Sequence, residues 1–305
     1  MVSFLPILFG MLKALINLFI IFPDVVFSKG GYASFPTLWA ARLIRIPVVI
    51  HESDAVLGRV TRWSASFAQY IAIAYPEAEK GLSEKEQSKT AIIGVPMRRE
   101  VLHNPLAEAY KLLRLDPEVP TVAVLGGSSG AQYVNDNLLD VLPKLLEKYQ
   151  VVHQTGTQHI AAVTEETKSY LRMFQNTHTY LPVASLNAYH MRALYSVADI
   201  LLTRAGSGTL HEIAEWGIPS IIIPIRDEVS HDQRTNAYAY ARAAGGTVIE
   251  EQNLAPHLLI SEVDRVLSNK ELHRELSEKA KTFAKPDAAK KAARILVDIL
   301  KSHEV

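Results

Sequence analysis

Residues 198–225, ADILLTRAGSGTLHEIAEWGIPSIIIPI, constrain the fold more than any other part of the chain. The apolar run Ile200-Leu201-Leu202 has the length of a buried strand and is closed by Arg204 and a glycine. After Gly206-Ser207-Gly208-Thr209 the period changes, and Leu210, Ile213, Ala214 and Trp216 fall on one helical face. Gly217 stops that helix, Pro219 follows, and a second apolar run begins at Ser220. A strand, glycine turn, helix and strand of this size form one parallel βαβ crossover. Its glycines lie where the chain leaves the carboxyl end of a strand, the edge at which open α/β sheets bind ligands. Glu212 has two readings at this stage. It can accept the hydroxyls of a ribose, or it can close a capping box as Thr209-x-x-Glu212.

The same alternation runs through the chain. Strands are expected at 23–28, 47–50, 70–74 and 90–93, with helices over 38–43 and 56–68. Gly94-Val95-Pro96 breaks this series, and a polar connector reaches Asp116-Pro117. A second series has strands at 122–125, 150–153, 177–181, 200–202, 220–224 and 247–249. Six strands with crossovers suffice for a complete mononucleotide fold, whereas the first series supplies about four and reads as incomplete. The tail from Glu271 is helical, with a break at Pro286.

A hydrophobic fraction of 48% against 21% charged residues supports a sizeable core in 305 residues. The 32 basic and 32 acidic side chains cancel, which disfavours nucleic acid as a partner. Without cysteine there can be no disulfide, thiol nucleophile or thiolate metal site. Neither His-x-x-x-His nor Asp-x-Asp occurs, so no metal constellation is expected. Residues 1–22 are apolar but interrupted by Pro6, Gly10 and Lys13. They lack the basic start and small-residue cleavage site of a signal peptide. A buried or membrane-surface helix is expected there. Residues 1–75 carry six basic and three acidic side chains, which suits an anionic surface.

Further motifs lie at strand ends. Gly126, Gly127, Ser128, Ser129, Gly130 and Ala131 follow the strand at 122–125 and can turn backbone amides toward a phosphate. With the turn at 206–208 this makes two such turns in one domain, which fits a nucleotide diphosphate. His231-Asp232-Gln233 offers donors and acceptors for sugar hydroxyls, or a polar helix start. His51-Glu52-Ser53-Asp54 ends a strand. His51 or Glu52 can act as a general base, or Asp54 can cap a helix from Val56 while His51 lies in the core. Lys29-Gly30-Gly31-Tyr32 is a further turn able to approach an anion.

Taken together, FSKGGYASFP, PVVIHESD, GVPMR, LGGSSGAQYVN, the 198–225 stretch and HDQRTNA resemble one family, and the likeness runs from Pro23 to about Ala244. It is the membrane-associated N-acetylglucosaminyltransferases of peptidoglycan synthesis, which convert lipid I to lipid II. The resemblance implies an α/β fold of GT-B type, with two Rossmann-like doubly wound domains facing across a cleft. The domains would be 1–97, with 286–305 packing back on it, and 98–285. It implies that UDP-N-acetylglucosamine is held by Arg98, Gly127, Ser128, Ser129, Gly130, Ala188, Tyr189, Ser207, Gly208, Thr209, Glu212, Asp232 and Gln233. The undecaprenyl-linked acceptor would meet Gly30, Gly31, Tyr32 and Asp54, with His51 and Glu52 bordering it. Transfer would invert the anomeric carbon without a metal or other cofactor, at the cytoplasmic face of the cell membrane. The family opens with a strand and a GGTGGH-type loop that this sequence does not contain, so a truncated first domain is expected. Two alternatives stand at this stage, another GT-B glycolipid transferase and a non-catalytic UDP-sugar-binding fragment.

Overall fold

Apolar strands that are buried on both faces need helices on both faces, and both halves of the chain meet that demand. A computed structural model describes residues 4–126, 132–173, 178–225 and 231–303. The chain divides into two units, residues 1–96 with 285–305, and residues 97–284.

The first unit contains α1 (Phe4–Ile21), β1 (Val26–Ser28), α2 (Phe35–Leu43), β2 (Val48–Glu52), α3 (Arg59–Ala65), β3 (Tyr70–Ile73), α4 (Glu84–Gln87) and β4 (Thr90–Ile92). The strands pair in parallel in the order β1-β2-β3-β4. One sheet face is filled by Val48, Ile50, Ile71 and Ile73 against Leu38 and Ala41 of α2 and Leu18 of α1.

The second unit contains α5 (Ala109–Leu113), β5 (Thr121–Leu125), α6 (Gln132–Leu145), β6 (Gln150–Gln154), α7 (Ile160–Met173), β7 (Tyr180–Val183) and α8 (Ala188–Val197). It continues with β8 (Ile200–Thr203), α9 (Ser207–Trp216), β9 (Ser220–Ile222), α10 (His231–Ala244), β10 (Thr247–Val248), α11 (Pro256–Leu267) and α12 (Lys270–Phe283). The last helix, α13 (Ala288–His303), returns to the first unit, where Ala292 packs on Ala72 and Ile93.

The second sheet is parallel throughout, in the order β10-β9-β8-β5-β6-β7. Strand order reverses between β5 and β8, which defines the topological switch point of a doubly wound sheet. Alternate residues of β5 serve opposite cores. Val122 and Val124 pack with α6 and α11, while Ala123 and Leu125 pack with α8, α9 and α10.

Three expectations are adjusted. The strand expected at 23–28 forms only over Val26–Ser28. The strand expected at 177–181 forms over Tyr180–Val183, in register with Val151–Gln154. The helix expected from Val56 begins at Arg59, after a loop in which Ala55 and Leu57 are buried. Its N-cap is Gly58 with no side-chain cap, so Asp54 does not cap it.

Candidate functional site

In a parallel sheet every helix that follows a strand begins at the carboxyl edge. The first turns of α8, α9 and α10 therefore belong to one edge of the second sheet. At α9 the N-cap is Gly206 and no side chain caps it. A Cβ added to Gly206 or to Gly208 would meet nothing within 4 Å, so the backbone of this turn stands open. An uncapped helix start beside the switch point favours an anion through its amides and dipole. Ser207 is buried, Gly208 exposed and Thr209 half-buried.

Thr209 is the third residue of α9 rather than its N-cap, so the capping-box reading of Glu212 fails. Its carboxylate instead accepts a 2.8 Å hydrogen bond from the hydroxyl of Tyr195 on α8. Burial raises the Glu212 pKa; the Tyr195 hydrogen bond and the field of Arg98 oppose that rise. Arg98 itself is exposed. It is kept near α9 because Trp216 Nε1 donates to the Val101 carbonyl at 2.8 Å and its ring packs at a tilt on His103, 4.8 Å between centroids.

Ala188 and Tyr189 open α8, whose N-cap Asn187 accepts from the His190 amide at 2.9 Å. Tyr189 is exposed, and its hydroxyl donates to Glu108. In α10 the Gln233 side-chain oxygen accepts from the Ile225 amide at 3.3 Å, which leaves its NH2 group as the donor. Asn236 ties the same helix to the Ala205 carbonyl at 3.3 Å. Asp232 lies in the first turn of α10, and its side chain is outside the described residues. Gly127, Ser128, Ser129, Gly130 and Ala131 also lie outside them.

Sequence reasoning missed the clamp behind this edge. Arg204, directly after β8, pairs with Glu251 at 2.7 Å with both side chains largely buried, and donates to the Ile223 carbonyl at 3.2 Å. An arginine between an apolar strand and a glycine turn was its only signal. Tyr195 was missed because a tyrosine on the inward face of an amphipathic helix reads as core.

In the first unit the motifs at the ends of β1 and β2 come together, since Ser28 pairs with Ile50 in register. Gly30 and Gly31 have φ of +73° and +82°, where a side chain would be strained. A Cβ on Gly30 would come within 2.9 Å of the Thr61 hydroxyl. Thr61 in turn hydrogen-bonds Glu52. The Glu52 carboxylate accepts from the Gly58 amide at 2.9 Å and the Asp54 amide at 3.2 Å, so it organises the loop before α3. Burial raises its pKa, and these hydrogen bonds limit the rise. His51 is fully buried and donates from Nε2 to the Gly94 carbonyl at 2.8 Å. Nδ1 is then the acceptor, facing Ser53 at 3.4 Å. Burial lowers the His51 pKa to about 4. Tyr32 is exposed and Asp54 half-buried. Among the described residues no three His, Asp or Glu side chains converge as a metal site.

Two parallel-sheet α/β units, the second with an open, uncapped helix start at its switch point, form a fold of GT-B type. The model of the glycosyltransferase family 28 C-terminal domain matches residues 121–292, and that of the N-terminal domain matches residues 3–73. The chain belongs to glycosyltransferase family 28. It is 34% identical over 276 residues to the UDP-N-acetylglucosamine--N-acetylmuramyl-(pentapeptide) pyrophosphoryl-undecaprenol N-acetylglucosamine transferase of Syntrophotalea carbinolica, covering 90% of this chain and 72% of that protein. To the protein of the same name from Thermodesulfovibrio yellowstonii it is 32% identical, over 95% of this chain and 76% of the relative. The crystal structure of Acinetobacter baumannii MurG superposes with a TM-score of 0.75 at 25% identity, covering 97% of this chain and 78% of that one.

Proposed function

We propose that this chain transfers N-acetylglucosamine from UDP-N-acetylglucosamine to the 4-hydroxyl of undecaprenyl-diphospho-N-acetylmuramoyl-pentapeptide, with inversion, in peptidoglycan synthesis. The observation that carries the donor half is the uncapped start of α9 at the switch point, with Glu212 fixed on the same helix. Ser207, Gly208 and Thr209 face the nucleotide, Glu212 takes the ribose, and the amides of Ala188 and Tyr189 meet the uracil. Gly127, Ser128, Ser129 and Gly130 serve the diphosphate together with Arg98. Asp232 and the Gln233 amide hold the sugar hydroxyls. The leaving diphosphate is stabilised by backbone amides and by the dipole of α9, whose start is uncapped in the folded protein, which lowers the barrier.

The acceptor diphosphate approaches the turn at Gly30, Gly31 and Tyr32, where the backbone at Gly31 stands open, with Asp54 alongside. His51 and Glu52 border this site, and one of them takes the hydroxyl proton. With its Nε2 proton committed to Gly94, His51 offers Nδ1 as its only basic atom. The enzyme works as a peripheral protein on the cytoplasmic face of the membrane. Phe9, Phe19, Ile20, Ile21 and Phe22 are 67–74% exposed on and just after α1, and Lys13, Arg42 and Arg45 are exposed on the same unit. An apolar helix face edged by cations suits an anionic bilayer. Among the described residues no helix is long and apolar enough to cross it.

The test is transfer of labelled N-acetylglucosamine to a lipid I analogue. Product that requires UDP-N-acetylglucosamine, and is lost in Glu212→Ala, is the expected result. Binding of the donor without any transfer would refute the assignment.

A further inference from the structure

Tyr195 lies two turns into α8, on the face turned toward α9. It is 3% exposed, and its ring rests against Trp216 at 5.9 Å between centroids. Trp216 is itself pinned by its hydrogen bond to the Val101 carbonyl. The phenol ring therefore has little freedom, and its hydroxyl is directed at one atom, Glu212 Oε2, at 2.8 Å. Among the described residues the hydroxyl has no other partner, and Oε1 of Glu212 accepts no hydrogen bond. A buried phenol without an acceptor would be costly, so each group holds the other in place. The two helices concerned are the ones that open with Ala188-Tyr189 and with Ser207-Gly208-Thr209.

We propose that Tyr195 is a positioning residue for donor recognition: it fixes one carboxylate oxygen of Glu212 so that the other meets the ribose hydroxyls of a nucleoside diphosphate. The proposal rests on the reading of Glu212 as the ribose acceptor given above. A hydroxyl that holds a carboxylate makes the contact to the ribose preorganised, so the cost of orienting Glu212 is met in the folded protein rather than on binding. Because Tyr195 and Ala188 share one helix, a single rigid element also couples the base contact to the sugar contact.

The experiment is calorimetry with UDP and 2′-deoxy-UDP on the full chain and on Tyr195→Phe, Glu212→Ala and the double variant, with steady-state kinetics in parallel. Phenylalanine keeps the ring packing and removes only the hydroxyl. Tyr195→Phe is expected to weaken UDP about tenfold, equivalent to ~1.4 kcal/mol, and to raise the donor KM with kcat within about twofold. Its preference for UDP over 2′-deoxy-UDP should shrink. Added to Glu212→Ala it should change nothing further, whatever it does to the melting temperature. If Tyr195→Phe leaves affinity and preference unchanged while Glu212→Ala lowers both, the positioning role is overturned and the ribose reading survives. An effect of Tyr195→Phe that persists without Glu212 overturns it equally. If Glu212→Ala alters neither quantity, the ribose reading itself falls, and the proposal with it.

Discussion

Glu52 can be asked directly whether it is a strut or a base. The residue is 6% exposed, and its carboxylate accepts from the backbone amides of Gly58 at 2.9 Å and Asp54 at 3.2 Å, with Thr61 as a third partner. Alanine at this position orphans both amides. Each unsatisfied buried donor costs about 1–3 kcal/mol, and water reaching the loop edge recovers part of that. The expected loss for Glu52→Ala is therefore about 2–4 kcal/mol. Glutamine keeps one acceptor and turns an NH2 group toward the second amide, but it removes the burial cost of the charge. Its loss should be smaller, about 1–2 kcal/mol. Urea unfolding of the three proteins measures the difference, and the acceptor KM reports whether the 53–58 loop has moved. A strut predicts lower stability and a higher KM together. A general base predicts a kcat lower by about 10²–10⁴ with the unfolding midpoint unchanged. An unfolding free energy for Glu52→Ala within about 0.5 kcal/mol of the parent would refute the strut argument, since two half-buried amides without an acceptor would then cost almost nothing.

Stability should fall with acid. The folded pKa values of His51 and His153 are lowered to about 4 and about 3, so between there and 6.5 the unfolded chain binds more protons. Each histidine then contributes stability above pH 6.5 that is lost on descending to its folded pKa, about 3 kcal/mol for His51. The raised Glu52 and Glu212 act oppositely, favouring the folded state below the ordinary glutamate range. Denaturation from pH 7 to 5 should thus show falling stability, and His51→Gln should flatten the slope; an unchanged slope would contradict the assignment. Gly94→Ala should cost about 2–4 kcal/mol, because φ is +85° and the added Cβ would overlap that of Lys285. Pairing it with Lys285→Gly should recover the steric part in a thermal melt, and no recovery would remove the clash from the account. Replacing Phe19 and Ile20 by serine should weaken binding to vesicles containing anionic lipid while UDP binding persists; equal vesicle binding would take α1 out of the membrane surface.

Much of the fold was legible in residues 198–225 alone. A buried apolar run, a glycine turn, a 3.6-residue period and a second apolar run admit hardly any arrangement but a parallel crossover. Repeating that pattern along the chain sets the class of both sheets. The sequence also marked the strand ends where Gly30, Glu52 and Ser207 stand, because glycines and polar residues interrupt apolar runs there. It left the meaning of Glu212 open between a cap and a ligand, and local spacing could not decide between them. Tertiary structure removed the cap: α9 starts at Ser207, so Thr209 cannot be its N-cap, and Tyr195, seventeen positions earlier, holds the carboxylate. The same holds for Thr61 against Gly30 and for Arg204 with Glu251, pairs that no short-range rule connects. Periodicity is a property of neighbours along the chain and is written in the sequence. Which buried hydroxyl or guanidinium satisfies which carboxylate depends on distances between separate elements, and those exist only once the sheet has brought the elements together.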